Sequence, residues 1–458
     1  GESDCLYYHF KNTPTGSAPE ELRQLLSALG ELENFFGQDN LDVEFAVTKE
    51  DELYILQVRT LCMPQERVDR AWQAEELARI AEKVKLNNQP KPFLCGCKTA
   101  YSVMTDWNPA EMIGIRPKPL ALSLYREIIT DSVWAYQRDN YGYRNLRSFP
   151  LMVDFCGLPY IDVRVSFNSF IPAGLNEEIS EKLADYYIEQ LVQNPQKHDK
   201  AEFEIVFSCY TLDTPQRVRA LAEHGFTAQE TGQIIDALRD VTNHIIDYKN
   251  GLWRRDYHKI EILDQRYQEI MESNMSDAEK VYWLLEDCKR YGTLPFAGLA
   301  RAAFIAVQML KSFVTCGIFC DDDYEAFMGE ADTVSSIMNR DREELSRAAF
   351  LKKYGHLRPG TYDITSLRYD EAPDLYFSNT REDGGAKAKI SDVEEKRAAK
   401  FRLSLKQLNQ LRDALQENGL TNDVLDIMDF MRHVIKGREY GKFIFTRNLS
   451  RAIQLISQ

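Results

Sequence analysis

LDVEFAVTKEDELYILQVR, residues 41–59, sets the reading of this chain. Two short runs alternate apolar and polar residues around the charged turn Lys49–Glu52, and a period of two is the mark of a β-hairpin. Side chains two apart share a face of a strand, so Asp42, Glu44 and Ala46 lie together, as do Ile55, Gln57 and Arg59. A carboxylate facing an amide and a guanidinium has the makings of a nucleotide site. The acid offers hard oxygen to Mg²⁺, and the arginine offers paired donors to phosphate. The plainer alternative is an amphipathic hairpin whose charged face meets water.

Outward from the hairpin, helices flank it, and from about residue 95 the chain reads as mixed and then helical. Pro19–Phe36 precedes it and Glu66–Lys85 follows it, both with helical spacing, and Asn87-Asn88-Gln89-Pro90 with Pro92 marks a boundary. Tyr160–Asn168, YIDVRVSFN, alternates and is expected to be a single strand, with Ile161, Val163 and Val165 on one face. Asn176–Gln193 is an amphipathic helix. Thr227-Ala-Gln-Glu230 and Ser276-Asp-Ala-Glu279 are capping boxes, each opening a helix, the first with a break near Asn250-Gly251. Lys289–Gly292 is polar and is expected to be a turn. Phe296–Cys320 is the most apolar run, but Arg301 and Lys311 interrupt it, which favours a buried helix over a membrane span. Tyr354–Thr380 is expected to be a long ordered loop. Thr380–Lys396, charged and without aromatics, is expected to be a mobile surface segment (near 380–396). Helices near Ser404–Asn418 and Asp423–Ser457 close the chain. The expected fold class is mainly α with a small β portion.

At 458 residues, with 44% hydrophobic and 28% charged residues, the chain has the composition of a soluble globular protein able to hold several domains. Fifty-six basic residues against 71 acidic ones give a net charge of −15, which argues against nucleic acid or an anionic membrane surface as a partner. Nine cysteines, an odd number, favour reduced thiols and a cytoplasmic location. Cys95-Gly-Cys97 and Cys316-x₃-Cys320 are the close pairs, and no second pair completes a zinc site. No G-x-x-x-x-G-K-[ST] and no G-x-G-x-x-G is present.

Asp42, Val43, Glu44, Phe45, Leu53, Tyr54, Leu56, Gln57 and Arg59 match the pattern D-I-E-F…L-Y-x-L-Q-x-R. In this the chain resembles the last two strands of the ATP-grasp module of the pyruvate phosphate dikinase and phosphoenolpyruvate synthase family. The resemblance implies ATP and Mg²⁺ as cofactors, with Glu44 toward the metal and Gln57 and Arg59 toward the phosphates. Such a module needs a far longer stretch before the hairpin than the 40 residues present here, so the expectation is a fragment or a truncation that starts late in the ATP module. The domain expectation is then residues 1–63 as the end of that module, 64–94 as a linker helix, and 95–458 as a helical substrate-binding module.

Three further stretches resemble the substrate module of the same family, in the layout of the rifampin phosphotransferases. DWNPAEMIGIRPKPLA, residues 106–121, places Asn108 and Glu111 on its polar positions; a glutamate there can accept a proton from a substrate hydroxyl. KYGHLRPGTYDITSLRYDEAPDLY, residues 353–376, resembles Y-G-H-R-G-P-G-E-x-D…P-R-W-x-E-D-P through Tyr354, Gly355, His356, Arg358, Pro359, Gly360, Asp363, Arg368, Glu371 and Pro373. His356 is a candidate donor there, and Arg358 and Arg368 beside Asp363, Asp370 and Glu371 are equally a network that fixes a long loop. RHVIKGREYGKFIFTRNLSR, residues 432–451, carries three i, i+4 basic pairs, Arg432/Lys436, Arg438/Lys442 and Arg447/Arg451. Arg438, Glu439 and Lys442 resemble the family's R-E-x-x-K, whose cations face the transferred phosphoryl group. The alternative is a solvated basic face balancing Asp423, Asp426 and Asp429.

The family's carrier histidine sits in a G-G-x-T/L-x-H context, and none of the seven histidines here does. The resemblance therefore implies the central part of an ATP-dependent phosphotransferase. It would move the β-phosphate, by way of a histidine on a missing domain, to a hydroxyl-bearing small molecule. Its partners would be that acceptor, the missing ATP-grasp half and the carrier domain; this chain alone would be inactive. A non-catalytic binding or interaction module with the same helical fold is the competing expectation.

Overall fold

A computed structural model describes residues 13–38, 40–48, 51–60, 69–330, 334–377, 401–421 and 423–458, with Tyr7 and His9. Helices dominate, and the strands form a two-stranded and a three-stranded sheet. Mainly α with a small β portion is what the chain adopts. Contacts divide it into two units, Gly1–Ala78 and Arg79–Gln458.

The first unit holds helix α1 (Glu20–Phe36), strands β1 (Leu41–Val47) and β2 (Leu53–Thr60) and the start of α2 (Arg70–Asn87), within which the boundary falls. Gly37 ends α1 in the left-handed conformation (φ 65°), its N–H returning to Glu33 O, as helix C-termini favour. The strands pair antiparallel, Asp42 opposite Arg59 and Glu44 opposite Gln57, with a register shift between Glu44 and Phe45. The hairpin is therefore as the alternation predicts. Residues 61–68, where the following helix was expected to start, lie outside the described residues. Among the described residues of this unit only Ala18 and Leu25 are buried.

The second unit runs through β3 (Tyr101–Ser102), α3 (Pro109–Met112), α4 (Pro119–Tyr125), α5 (Val133–Asn140), β4 (Met152–Phe155), β5 (Leu158–Asp162), α6 (Val163–Asn168), α7 (Glu177–Gln193), α8 (Ala201–Glu204) and α9 (Thr214–Arg217). It continues with α10 (Ala228–Ile246), α11 (Leu252–Glu272), α12 (Asp277–Asp287), α13 (Leu294–Thr315), α14 (Asp321–Gly329), α15 (Val334–Glu344), α16 (Arg347–Tyr354), α17 (Pro373–Phe377), α18 (Leu405–Glu417) and α19 (Val424–Ser457). Helix α13 is the axis of its core, packed against α19, α11 and α5. The run Asp277–Thr315 is long and apolar enough to cross a membrane, but its apolar window is 78% buried in this unit. Both expected capping boxes form, Thr227 with Glu230 and Ser276 with Glu279.

Two expectations are corrected. Tyr160–Asn168 is not one strand: β5 stops at Asp162, whose carboxylate accepts the N–H of Val165 and caps α6. Every residue of α6 is buried, so its face pattern carries no helical period and the preceding alternation ran on misleadingly. Lys289–Gly292 is not a turn. Cys288–Thr293 is a π-helical stretch that joins α12 to α13. Its charged residues face outward and pair, Lys289 with Glu286 and Glu127, Arg290 with Glu286. The Gly292 position is tight, since a Cβ there would lie 2.7 Å from Phe445 Cβ.

Of the loop expected over Tyr354–Thr380, Gly355–Ala372 is an ordered loop, Pro373–Phe377 is helix α17, and 378–380 lie outside the described residues. The ordered loop is fastened to α19: Arg368 donates to Gln454 Oε1 (2.6 Å), Gln454 Nε2 to Glu371 (2.8 Å), Arg358 to the Ser450 carbonyl (3.3 Å), and Ser450 Oγ to the His356 carbonyl (2.6 Å). The segment near 380–396 lies outside the described residues.

Candidate functional site

A cavity of about 260 Å³ in the second unit gathers residues from five distant parts of the chain. Asp106, Trp107 and Asn108 come from the turn after β3, Glu111 and Met112 from α3, Arg138 from α5. Asp199 and Glu202 come from α8 and the segment before it, Phe296, Arg301 and Phe304 from α13, and Arg438 and Lys442 from α19. Glu111, Arg438 and Lys442, three of the sequence candidates, thus share one pocket.

Backbone geometry sets the turn after β3. Asp106 and Asn108 both have positive φ (55° and 39°), a conformation that Asp and Asn tolerate better than other side chains. Each is held by hydrogen bonds. Asp106 accepts from Ser166 Oγ and from Arg138, both at 3.0 Å, and Asn108 accepts the N–H of Glu111 at 3.1 Å. Strained residues persist where their surroundings over-determine them, commonly at binding sites. Tyr125 Oη donates to the Trp107 carbonyl, and Thr105 Oγ1 to the His198 carbonyl at 3.0 Å, next to Asp199.

The floor is ionic and nearly dry. Arg138 and Arg301 are almost fully buried, and each meets one acid, Asp106 and Glu202 respectively. Both guanidiniums stack on Phe170, at 5.1 and 4.5 Å from its ring centre. Burial pushes the Glu202 carboxyl up, against the pull of Arg301 and Arg138. Burial and the neighbouring Arg301 push Arg138 down.

Arg438 and Lys442 reach the pocket because the residues just before them are glycines. A Cβ on Gly437 would lie 3.0 Å from Tyr257, and one on Gly441 2.8 Å from Ile260, so α19 closes on α11 at these positions. Arg438 lies over the Phe304 ring at 4.9 Å, and Trp107 packs on Phe296 at 5.7 Å. Two other basic residues of the segment pair with acids outside it. Arg432 pairs with Glu330 (3.3 Å) and Arg447 with Asp264 (2.6 Å).

The remaining candidates lie elsewhere. His356 is not among the lining residues; its ring is buried against Phe443 at 4.8 Å. Burial, with Arg447 and Arg368 nearby, lowers its pKa to about 3, so it is neutral at physiological pH. Glu44, Gln57 and Arg59 share one exposed face of the hairpin, where Arg59 donates to Glu44 (2.7 Å) and to Gln57 Oε1 (2.8 Å). One carboxylate, one amide and one arginine fit a nucleotide-bound Mg²⁺ only as a contributing wall, since Mg²⁺ is held chiefly through phosphate oxygens and water.

Among the described residues one group of metal-capable side chains comes together, Cys95 with Glu177 and Glu181. Its acids are committed to other work. Arg144 holds both Glu177 oxygens (2.7 and 2.9 Å), and the Gly96 N–H donates to Glu181. Burial raises the Cys95 thiol to about 12, so the cluster anchors the Cys95–Cys97 loop.

Sequence reading passed over Arg138, Asp199 and Glu202, and took Arg301 only as an interruption of an apolar run. Arg301 was the available signal, because a charge inside a buried helix needs a partner. No protein-family model matches the chain, and no curated protein matches it.

Proposed function

We propose that this chain is the central part of an ATP-dependent phosphotransferase of the phosphoenolpyruvate synthase type, with the pocket of the second unit as its acceptor site. One observation carries the reading: Glu111, Arg438 and Lys442, picked out by separate motif resemblances far apart in sequence, line a single cavity. ATP with Mg²⁺ would supply the phosphoryl group, and the hairpin residues Glu44, Gln57 and Arg59 would belong to the wall that receives them.

In the transfer itself an acceptor hydroxyl oxygen bonds to phosphorus as the bond from a carrier histidine breaks. The electron pair returns to the imidazole nitrogen, and the hydroxyl proton passes to Glu111. Arg438 and Lys442 neutralise the charge on the phosphoryl oxygens, which is most of what catalysis of this step requires.

The test is AMP release by the full-length polypeptide with hydroxylated acceptors. Joint replacement, Arg438→Ala with Lys442→Ala, is expected to lower it by about 10²-fold or more with thermal stability unchanged. A second reading, a non-catalytic binding module of the same descent, draws on the hairpin, where Arg59 is already engaged by Glu44 and Gln57. Unchanged function in the double variant would select it.

A further inference from the structure

The charges lining the pocket do not all cancel locally. Four of the eight pair off in the floor, Asp106 with Arg138 and Glu202 with Arg301. The two remaining cations stand one helical turn apart on α19, while the two remaining acids, Glu111 and Asp199, are exposed on separate elements. Lys442 has no hydrogen-bond or ion-pair partner among the described residues. Arg438 meets the Phe304 ring and, at 3.9 Å, the neighbouring Glu439. The α19 wall is thus cationic, and the α3 wall carries an acid.

Shape narrows the ligand further. Trp107, Phe296 and Phe304 offer apolar surface, and a volume of about 260 Å³ lies just below the usual range for small-molecule sites. We infer that the pocket takes a small ring-bearing hydroxy acid, with its carboxylate against Arg438 and Lys442, its ring against the apolar side chains of Trp107, Phe296 and Phe304, and its hydroxyl toward Glu111. This rests on the reading of the pocket as the acceptor site, and it reassigns Arg438 and Lys442 from the phosphoryl oxygens to the acceptor's carboxylate. Hydrogen bonds from two cations to one carboxylate are charge-assisted and roughly twice as strong as neutral ones.

Calorimetric titration of the 458-residue chain, without nucleotide, tests it. The probes are 4-hydroxybenzoate and 6-hydroxy-2-naphthoate, each against its carboxamide, which keeps the shape and removes the charge. At least one acid is expected to bind about tenfold or more tightly than its amide, a difference of about 1.4 kcal/mol. Arg438→Gln and Lys442→Gln should each erode that preference, whereas Lys352→Gln, on an exposed residue of α16 outside the pocket, should not. Equal binding of acid and amide, binding of neither, or a preference that survives both substitutions would overturn the inference. The two proposals fail separately. An acid that binds but never supports AMP release in the full-length polypeptide sinks the phosphotransferase reading alone; AMP release with neutral acceptors, and no acid preference, sinks only the acid.

Discussion

The hairpin and the pocket floor are built from the same parts, a carboxylate against a guanidinium, and they differ in their access to water. On the hairpin, Glu44 and Arg59 are each 55% exposed. In the floor, Arg138 and Asp106 are 5% and 6% exposed, and Arg301 is 1% exposed. Exposed pairs gain little, because water screens them and long side chains lose freedom in forming them. Buried pairs have already lost their hydration, so removing one partner strands the other charge. The first arrangement can open for a ligand at small cost. The second is a rigid frame that fixes the pocket.

The sharpest way to break that contrast is Glu202→Ala, which leaves Arg301 buried without its counter-ion. A loss of about 3–5 kcal/mol is expected in urea denaturation. Replacing both partners, Glu202→Leu with Arg301→Met, should return most of it, because no stranded charge remains. A loss under about 1 kcal/mol for the single change would mean that the floor behaves like the hairpin.

A middle case is Asp256, buried, with Tyr141 Oη donating at 2.7 Å and Lys259 at 3.3 Å. Burial pushes its carboxyl from 3.8 up to about 6. Below the lower value the group is protonated whether the chain is folded or unfolded. Between the two, the unfolded chain gives up the proton first, so stability falls as pH rises, by up to about 3 kcal/mol once pH passes 6. Asp256→Asn should therefore stabilise the protein at about pH 8 and leave it nearly unchanged at about pH 3.5. The same effect at both pH values would show that the two donors already compensate the charge.

The smallest effect belongs to Arg59→Ala. It is expected to shift stability by no more than about 1 kcal/mol, and less at high salt. A larger loss by thermal melting would show the hairpin pair to be shielded from water.

Much of the fold was legible because its signals are local. Thr227 with Glu230, Ser276 with Glu279 and Asp423 at the start of α19 mark helix starts through bonds that span three residues. The hairpin alternates because one residue's face follows from its neighbour's. The reading failed where local signals mislead. The capping role of Asp162 was hidden inside an apparent alternation, and polar Lys289 and Arg290 proved to be the outer face of a continuous helical run. Of the site, Glu111, Arg438 and Lys442 were visible through motif resemblance. Arg138 and Glu202 were not, because nothing near them in sequence distinguishes them from surface charges.

Sequence alone determined that the chain is mainly helical, where several of its long helices begin, and that a basic cluster lies near its end. Tertiary structure decided which of those bases face a cavity and which brace α19, and which acids meet them. The reason is physical. Hydrogen bonding and side-chain periodicity act over a few residues, whereas the meaning of a charge depends on how much water it keeps and on which distant partner replaces that water.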